Sequence, residues 1–439
     1  MDPNIIELPG QPKFLTLKKI SVAGFKSIGK ECSVILKPLT VLAGANSSGK
    51  SSIFQPLLLL KQTLEASYDP GALQLMGSNV RFSSGDQLLS KFVTPGQANE
   101  FKISMVMADE KTWICHYKWL PEAGFELAKM EHTAGELTTD VSPGNTGFDP
   151  SEIITGFPRK FFQALNYKWT VVRDRCFAGI RGQKVEDKQG EYWLGFASAL
   201  AEAVRGIIHL PGLRGNPERS YPVTAVGKTF PGTFPDYTAS IIADWQATNA
   251  GEKLAALGKD LLALGLTWKV VAIRQNDAQV ELQVGRLPHP NHAGNGDLVS
   301  LADVGLGVSQ TLPVLVALHV ARPGQIVFLE QPEIHLHPRA QMALAEVLAA
   351  AANREVVVVV ETHSSILLRG IQTAVARGRL GADKVSLNWF KRDPQSGQTE
   401  CIPGKLDKGG AFGDWPEDFD EITLESERKF MDASESSAN

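Results

Sequence analysis

The chain has few cysteines, only four in 439 residues. Cys32, Cys115, Cys176 and Cys401 lie far apart, with no CxxC or CxxH spacing. This excludes a zinc-finger type of site and a disulfide framework, and fits a reducing compartment. Long apolar runs are also missing; none approaches the roughly 20 residues that a membrane span needs. The start, Met1-Asp2-Pro3-Asn4, lacks a basic segment followed by an apolar one, so no secretory leader is expected. The formal charge of −4 is small. It leaves no global electrostatic footprint for nucleic acid, and any such contact must use a local patch. No internal repeats occur. What remains is an ordinary globular composition, 43% hydrophobic and 21% charged, long enough for about three domains. A cytoplasmic protein is expected.

Against that background one segment stands out. Gly44-Ala45-Asn46-Ser47-Ser48-Gly49-Lys50-Ser51 fits G-x-x-x-x-G-K-[ST], a loop that holds nucleotide phosphates on backbone amides. The apolar stretch Leu39 to Ala43 precedes it, and Ile53, Leu57, Leu58 and Leu60 follow with helical spacing. A strand–loop–helix context supplies unpaired N–H groups and partial positive charge at the helix start. Gly44, Asn46, Ser47, Ser48, Gly49, Lys50, Ser51 and Ser52 are the candidate nucleotide contacts. Lys50 is expected on the β and γ phosphates and the Ser51 hydroxyl on Mg²⁺, with ATP and Mg²⁺ as cofactors.

The rest of the chain divides by pattern. Residues 1–150 read as a first lobe: short strands from Phe14 to Leu42, then the loop, then a hairpin over Lys102 to Trp119. Pro56 is expected to kink the helix after the loop. Residues 151–267 show helix-like spacing, with long helical candidates at Leu194 to Ile207 and Ile241 to Leu266, the second broken at Gly251 and Gly258. Residues 268–425 return to strands and form a second lobe. The valine run 356–360 suits a parallel strand covered on both faces. Residues 426–439 read as an acidic, disordered tail.

The second lobe carries the other half of a nucleotide site. Ile326 to Leu329 is an apolar strand ending in Glu330, the expected metal-facing acid. Glu361-Thr362-His363-Ser364 sits at the C-terminal end of the next strand, where open α/β sheets bind ligands. His363 is placed to contact the γ-phosphate or its attacking water.

The order of these motifs resembles the ABC-type ATPase heads of the SMC, RecF and OLD proteins, and more closely a group of bacterial ATPases related to the ATPase half of OLD. The resemblance rests on Phe25-Lys26-Ser27, Gly44 to Ser51, Leu213-Arg214 with Pro217 and Arg219, Gly305 to Pro313, Glu330 to Pro338, Glu361 to Ser364 and Trp415-Pro416-Glu417. It implies a two-lobed α/β P-loop head, a mixed sheet flanked by helices, with a largely helical insertion between the lobes. It also implies a homodimer or higher homo-oligomer with ATP between the loop of one copy and the signature of the other. There Gly307, Ser309 and Gln310 would meet the nucleotide, with Gly where such heads carry Ser. Gln331 stands where they carry a glutamate that positions or activates the attacking water. Glutamine accepts no proton, and general-base assistance is worth roughly 10²–10⁴-fold. Either Glu333 or His363 takes the role, or hydrolysis is slow. Gln87 is a candidate for the usual loop glutamine. OLD-type proteins append a nuclease domain; too little chain follows His363 for one, so a separate nuclease or toxin partner is expected, in anti-phage defence or DNA maintenance. A non-hydrolysing nucleotide-gated scaffold is the alternative. A membrane-transporter subunit fits less well.

Three further clusters have bland readings beside sharp ones. His335 and His337 have H-x-H spacing, but structural or interface roles outweigh metal binding. Arg159 to Lys184 holds seven basic residues interleaved with Phe161, Phe162, Tyr167 and Trp169, either a DNA contact or a solvated face. Arg214 and Arg219 either present guanidinium to phosphate or make structural ion pairs.

Overall fold

The computed structural model describes residues 16–92, 99–146, 148–152, 160, 162, 167–184, 191–195, 197–248, 250–286, 297–413, 428, 429 and 431. Arg159, Phe161, Trp415-Pro416-Glu417 and nearly all of the acidic tail lie outside them. The chain opens with β1 (Leu17–Ala23), β2 (Cys32–Ile35), β3 (Leu39–Ala43) and α1 (Lys50–Glu65), followed by the strands β4 (Glu100–Met107), β5 (Thr112–Leu120), β6 (Gly124–Ala134) and β7 (Leu137–Asp140). Next come β8 (Tyr167–Asp174), β9 (Phe177–Lys184), β10 (Glu191–Leu194), α2 (Ser198–Arg205), β11 (Ile208–Leu210) and β12 (Tyr221–Pro222). The helices α3 (Thr238–Ala247) and α4 (Gly251–Ala263) precede β13 (Val270–Arg274), β14 (Gln279–Gly285) and β15 (Leu298–Ser300). Then follow α5 (Leu306–Val320), β16 (Ile326–Glu330), α6 (Pro338–Asn353), β17 (Val357–Thr362), α7 (Ser365–Ala376), β18 (Val385–Arg392) and β19 (Thr399–Gly404).

The central sheet runs β11-β16-β17-β3-β18-β19, parallel except for the last pair. The inner strands β16, β17 and β3 are covered on both faces, which explains why they read as unbroken apolar runs. Alternate residues enter two different cores. Val41, Val327, Leu329, Val358 and Val360 join one core with α5, α6 and α7. Leu42, Phe328, Val357 and Val359 join the other with α1 and the antiparallel sheet β2-β1-β4-β5-β6-β7. Phe54 of α1 stacks on Phe328 at 4.3 Å between centroids, and α1 runs through Pro56 without ending. Leu57, Leu58, Leu59 and Leu60 are all buried; losing a side chain of that size costs about 2–5 kcal/mol.

Two expectations are corrected. The region 151–267 is not largely helical throughout, because β8, β9 and β10 form an antiparallel sheet ahead of the helix that begins at Ser198. The period-two burial of Trp169 and Val171 in β8 carries that signal. Gly258 does not break the second helical candidate: the break falls between α3 and α4, and Gly258 lies inside α4. No described helix is long and apolar enough to cross a membrane.

The basic stretch is also spent differently. Phe162 and Trp169 are buried core residues. Arg173 makes a two-point pair with Asp69, at 2.9 and 2.6 Å. Arg175 Nη1 donates to the carbonyls of Thr63, Ala66 and Tyr68 at 3.1, 2.8 and 3.1 Å. These carbonyls lie at the C-terminal end of α1, where backbone acceptors have no intrahelical partner. The Arg175→Ala variant should therefore lose about 1–3 kcal/mol of stability, read as a lower urea midpoint with an unchanged slope. Unaltered stability combined with weakened DNA binding would restore the nucleic-acid reading of this stretch.

Candidate functional site

The phosphate loop joins β3 to α1, and its shape follows from the residue types. Ser47 (φ 60°) and Gly49 (φ 96°) take left-handed conformations. A Cβ at Gly49 would lie 2.2 Å from Thr399 Oγ1 and 2.9 Å from Ser27 Oγ, so only glycine fits there. The clamp against it comes from β19: Thr399 Oγ1 donates to the Ser48 carbonyl at 2.9 Å and lies 2.7 Å from Ser27 Oγ. No side chain caps the start of α1, which leaves its first-turn amides for an anion. Lys50 is 4% exposed and its ammonium donates to the loop carbonyls of Gly44 and Ala45, at 2.9 and 2.7 Å. Burial lowers its pKa, against the raising charges of Glu361 and Glu333.

A cavity of about 610 Å³ opens over this loop. It is lined by Ser47 to Ser52, by Lys26, Ser27, Gln55, Asp86, Gln87 and Leu89, and by Lys91, Phe92, Arg392 and Glu361. Lys26, Lys50, Lys91 and Arg392 make the lining cationic, which suits a polyphosphate. Lys26 is held by Gln55 at 2.7 Å and sits 4.7 Å from the centre of the Phe82 ring. Arg392 leans on the Ser47 carbonyl at 3.5 Å. Gln87 does face this cavity.

The acids divide in a way the sequence did not disclose. The sequence places Ser51 and Glu330 together on Mg²⁺; in the structure Ser51 Oγ donates to Glu361 Oε1 at 2.9 Å. Glu330 has both oxygens engaged elsewhere: Oε1 lies 3.1 Å from His209 Nε2, and Oε2 accepts from the Gly212 N–H at 3.2 Å. His209 is itself buried, 3.0 Å from Asn79 Oδ1 and stacked on Phe328. Burial acts to raise the pKa of Glu330, but the hydrogen bond and charge of His209, with Gly212 and Arg214, hold it below the ordinary value. Glu361 has the opposite balance. Burial first, and then the charge of Glu330, push it up to about 7 despite Ser51 and Lys50. Its Oε2 is buried without a hydrogen-bond partner.

The remaining candidates fall outside this cavity. Glu333 is buried and accepts from Thr362 Oγ1, and burial raises its pKa. His363, one residue past β17, is exposed. Gln331 takes a left-handed backbone (φ 44°) and donates its N–H to the Glu361 carbonyl at 2.8 Å. Ser309 and Gln310 are buried; the Gln310 amide donates to the Gly215 carbonyl at 2.6 Å. Gly307 belongs to the first turn of α5, beside exposed Leu306. Arg214 is a structural brace, donating to the Glu330 and Gln310 carbonyls at 2.8 and 3.3 Å, and burial lowers its pKa to about 10. Arg219 forms an exposed two-point pair with Asp303. His337 caps α6, accepting from the Arg339 N–H at 3.3 Å, as the structural reading of that histidine expected.

The raised Glu361 sets a pH dependence. Between its ordinary value of 4.5 and about 7, the folded chain keeps a proton that the unfolded chain has lost. The folded state then binds more protons, so stability falls as pH rises through that window. The variant Glu361→Gln removes this penalty. In metal-free buffer it should be more stable than the parent at pH 8, by up to about 3 kcal/mol, and indistinguishable near pH 4. Thermal melts at the two pH values measure this, and superimposable curves at pH 8 would contradict it.

Two protein-family profiles match parts of the chain. Residues 216–369 match one described as "AAA domain, putative AbiEii toxin, Type IV TA system", and residues 15–69 match "Protein of unknown function (DUF2813)". No curated protein matches. Among solved structures, the chain is similar to an SMC head bound to the C-terminal winged-helix domain of ScpA, at 12% identity and a TM-score of 0.49, covering 90% of this chain and 98% of that one. It is also similar to an SMC head domain from Thermotoga maritima, at 11% identity and a TM-score of 0.41, over 89% and 100% of the two chains. The third is an SMC head domain with an extended coiled coil, bound to the C-terminal domain of ScpA derived from Pyrococcus furiosus, at 11% identity and a TM-score of 0.47, over 88% and 96%. The phosphate loop after β3, the strand β17 inserted between β3 and β16, and helices on both faces make this chain a mixed α/β fold with a P-loop.

Proposed function

We propose that this chain is an ATP-binding ABC-type ATPase that dimerises on ATP and couples that switch to a partner. The observation that carries the reading is the loop itself: uncapped first-turn amides, a buried Lys50 and the Ser51 hydroxyl converge on one cationic cavity. The triphosphate lies on Gly44 to Ser52. Lys50 would hold the β and γ phosphates, and the Ser51 hydroxyl would hold Mg²⁺. When bound, Mg²⁺ neutralises the phosphate oxygens during transfer to water.

The position of the expected signature residues away from the cavity supports the dimer. Gly307, Ser309 and Gln310 at the start of α5 do not line the cavity, yet Gly305 borders open space and Leu306 is 42% exposed. A second chain presenting that helix start closes the site. The effector is a separate nuclease or toxin, in anti-phage defence or DNA maintenance, and the family description naming a toxin system supports that setting. Four free thiols and the lack of a spanning helix among the described residues support a cytoplasmic place.

The second reading, a nucleotide-gated scaffold with negligible turnover, is favoured by Gln331, which stands at the catalytic-acid position and accepts no proton. Two measurements separate these ideas. Calorimetric titration should show Lys50→Ala binding ATP at least about tenfold more weakly; unchanged affinity would overturn the site. Phosphate release by Gln331→Glu should rise, by up to about 10²-fold, if Gln331 is the brake. Turnover that stays flat or falls instead makes Glu333 the base.

A further inference from the structure

Glu361 sits where two parallel strands meet the loop. In register it pairs with Glu330 on one side and Leu42 on the other, and its carbonyl receives the Gln331 N–H, so its backbone is held from both neighbours. Its side chain is 5% exposed, lines the cavity, and has one oxygen 2.9 Å from Ser51 Oγ and the other buried without a partner. A buried carboxylate oxygen with nothing to accept from costs free energy unless a ligand completes it.

We propose that Glu361, rather than Glu330, is the acid that receives the nucleotide's magnesium ion together with Ser51. The proposal rests on the ATP-binding reading above. Two oxygens on one octahedral Mg²⁺, each roughly 2.1 Å from the ion, are about 3 Å apart when adjacent. Ser51 Oγ and Glu361 Oε1 already hold that separation. Each Glu330 oxygen already has a hydrogen-bond partner, His209 or the Gly212 N–H, whereas Glu361 Oε2 has none. Among the described residues no group of three or more His, Cys, Asp and Glu is arranged to hold a metal. This agrees with an ion that keeps most of its waters and phosphate oxygens and takes only one carboxylate from the protein.

The test compares ATP binding to the full chain in Mg²⁺ and in EDTA, by calorimetry, for the parent, Glu361→Gln and Glu330→Gln. Immobilisation of Mn²⁺ by each chain with ATP, read by electron paramagnetic resonance, is a second readout. In the parent, Mg²⁺ should tighten ATP binding. Glu361→Gln should lose the enhancement, a drop of at least about tenfold in Mg²⁺, and should not immobilise Mn²⁺. Glu330→Gln should retain the enhancement. The reverse pattern, with Glu330→Gln losing it and Glu361→Gln keeping it, overturns the proposal, as does a parent whose ATP binding ignores Mg²⁺. A parent that binds no ATP in either buffer overturns the nucleotide reading itself. Glutamine can still accept from Ser51, so Glu361→Gln is expected to fold; a metal-free melt at or above the parent's confirms that its binding loss is local.

Discussion

The register of three parallel strands governs the whole site. Glu330 on β16 lies opposite Glu361 on β17, and Glu361 lies opposite Leu42 on β3, just before the phosphate loop. Neighbouring strands are about 4.8 Å apart, so two acids are forced close together in a buried setting. Two like charges at such range cannot both ionise cheaply, and their environments must push them apart. The fold does so by unequal partnering. Glu330 receives His209, the Gly212 N–H and the nearby Arg214 guanidinium, and stays ionised. Glu361 receives only the Ser51 hydroxyl and the field of Lys50, and keeps its proton to about 7. The acid left poorly satisfied is the one that faces the cavity.

That division explains how far the sequence could be read. The phosphate loop was legible because its information is local: each glycine, Lys50 and Ser51 act within one turn of the chain. The strands around Val327 and Val358 were legible because burial on both faces leaves continuous apolar runs. Glu361 was visible as part of a polar strand end, yet its role depends on strand order. Nothing local says that β17 lies between β3 and β16, and without that order the acid after the earlier strand looks like the natural partner of Ser51. His209, which ties up Glu330, follows a short helix and lies more than a hundred residues before its partner.

The basic stretch was only partly legible for a related reason. Counting charges between Arg159 and Lys184 cannot show that Arg173 meets Asp69 or that Arg175 meets the end of α1, both over a hundred residues earlier in sequence. An arginine that fills several backbone acceptors is a structural donor, whatever its neighbours' charge. The same holds for Arg214. Its donors bind the carbonyls of Glu330 and Gln310, so one side chain joins the end of β16 to the first turns of α5. That brace links the acid-bearing strand to the helix start proposed to face a second copy.

The brace bears on catalysis. Gln331 is fixed by the Glu361 carbonyl on one side and by Arg214, 3.4 Å from its own carbonyl, on the other. Its left-handed backbone is costly for a residue with a Cβ, and such strain persists only where surroundings over-determine it. Glu333 is desolvated, bonded to Thr362 and raised in pKa, which makes it a stronger base than an ordinary carboxylate, but it does not line the cavity. His363 is exposed and lies outside the cavity lining. Neither proton acceptor is therefore poised beside the loop in a single chain. The Arg214 brace is the element through which the proposed second copy at α5 would meet this same strand end.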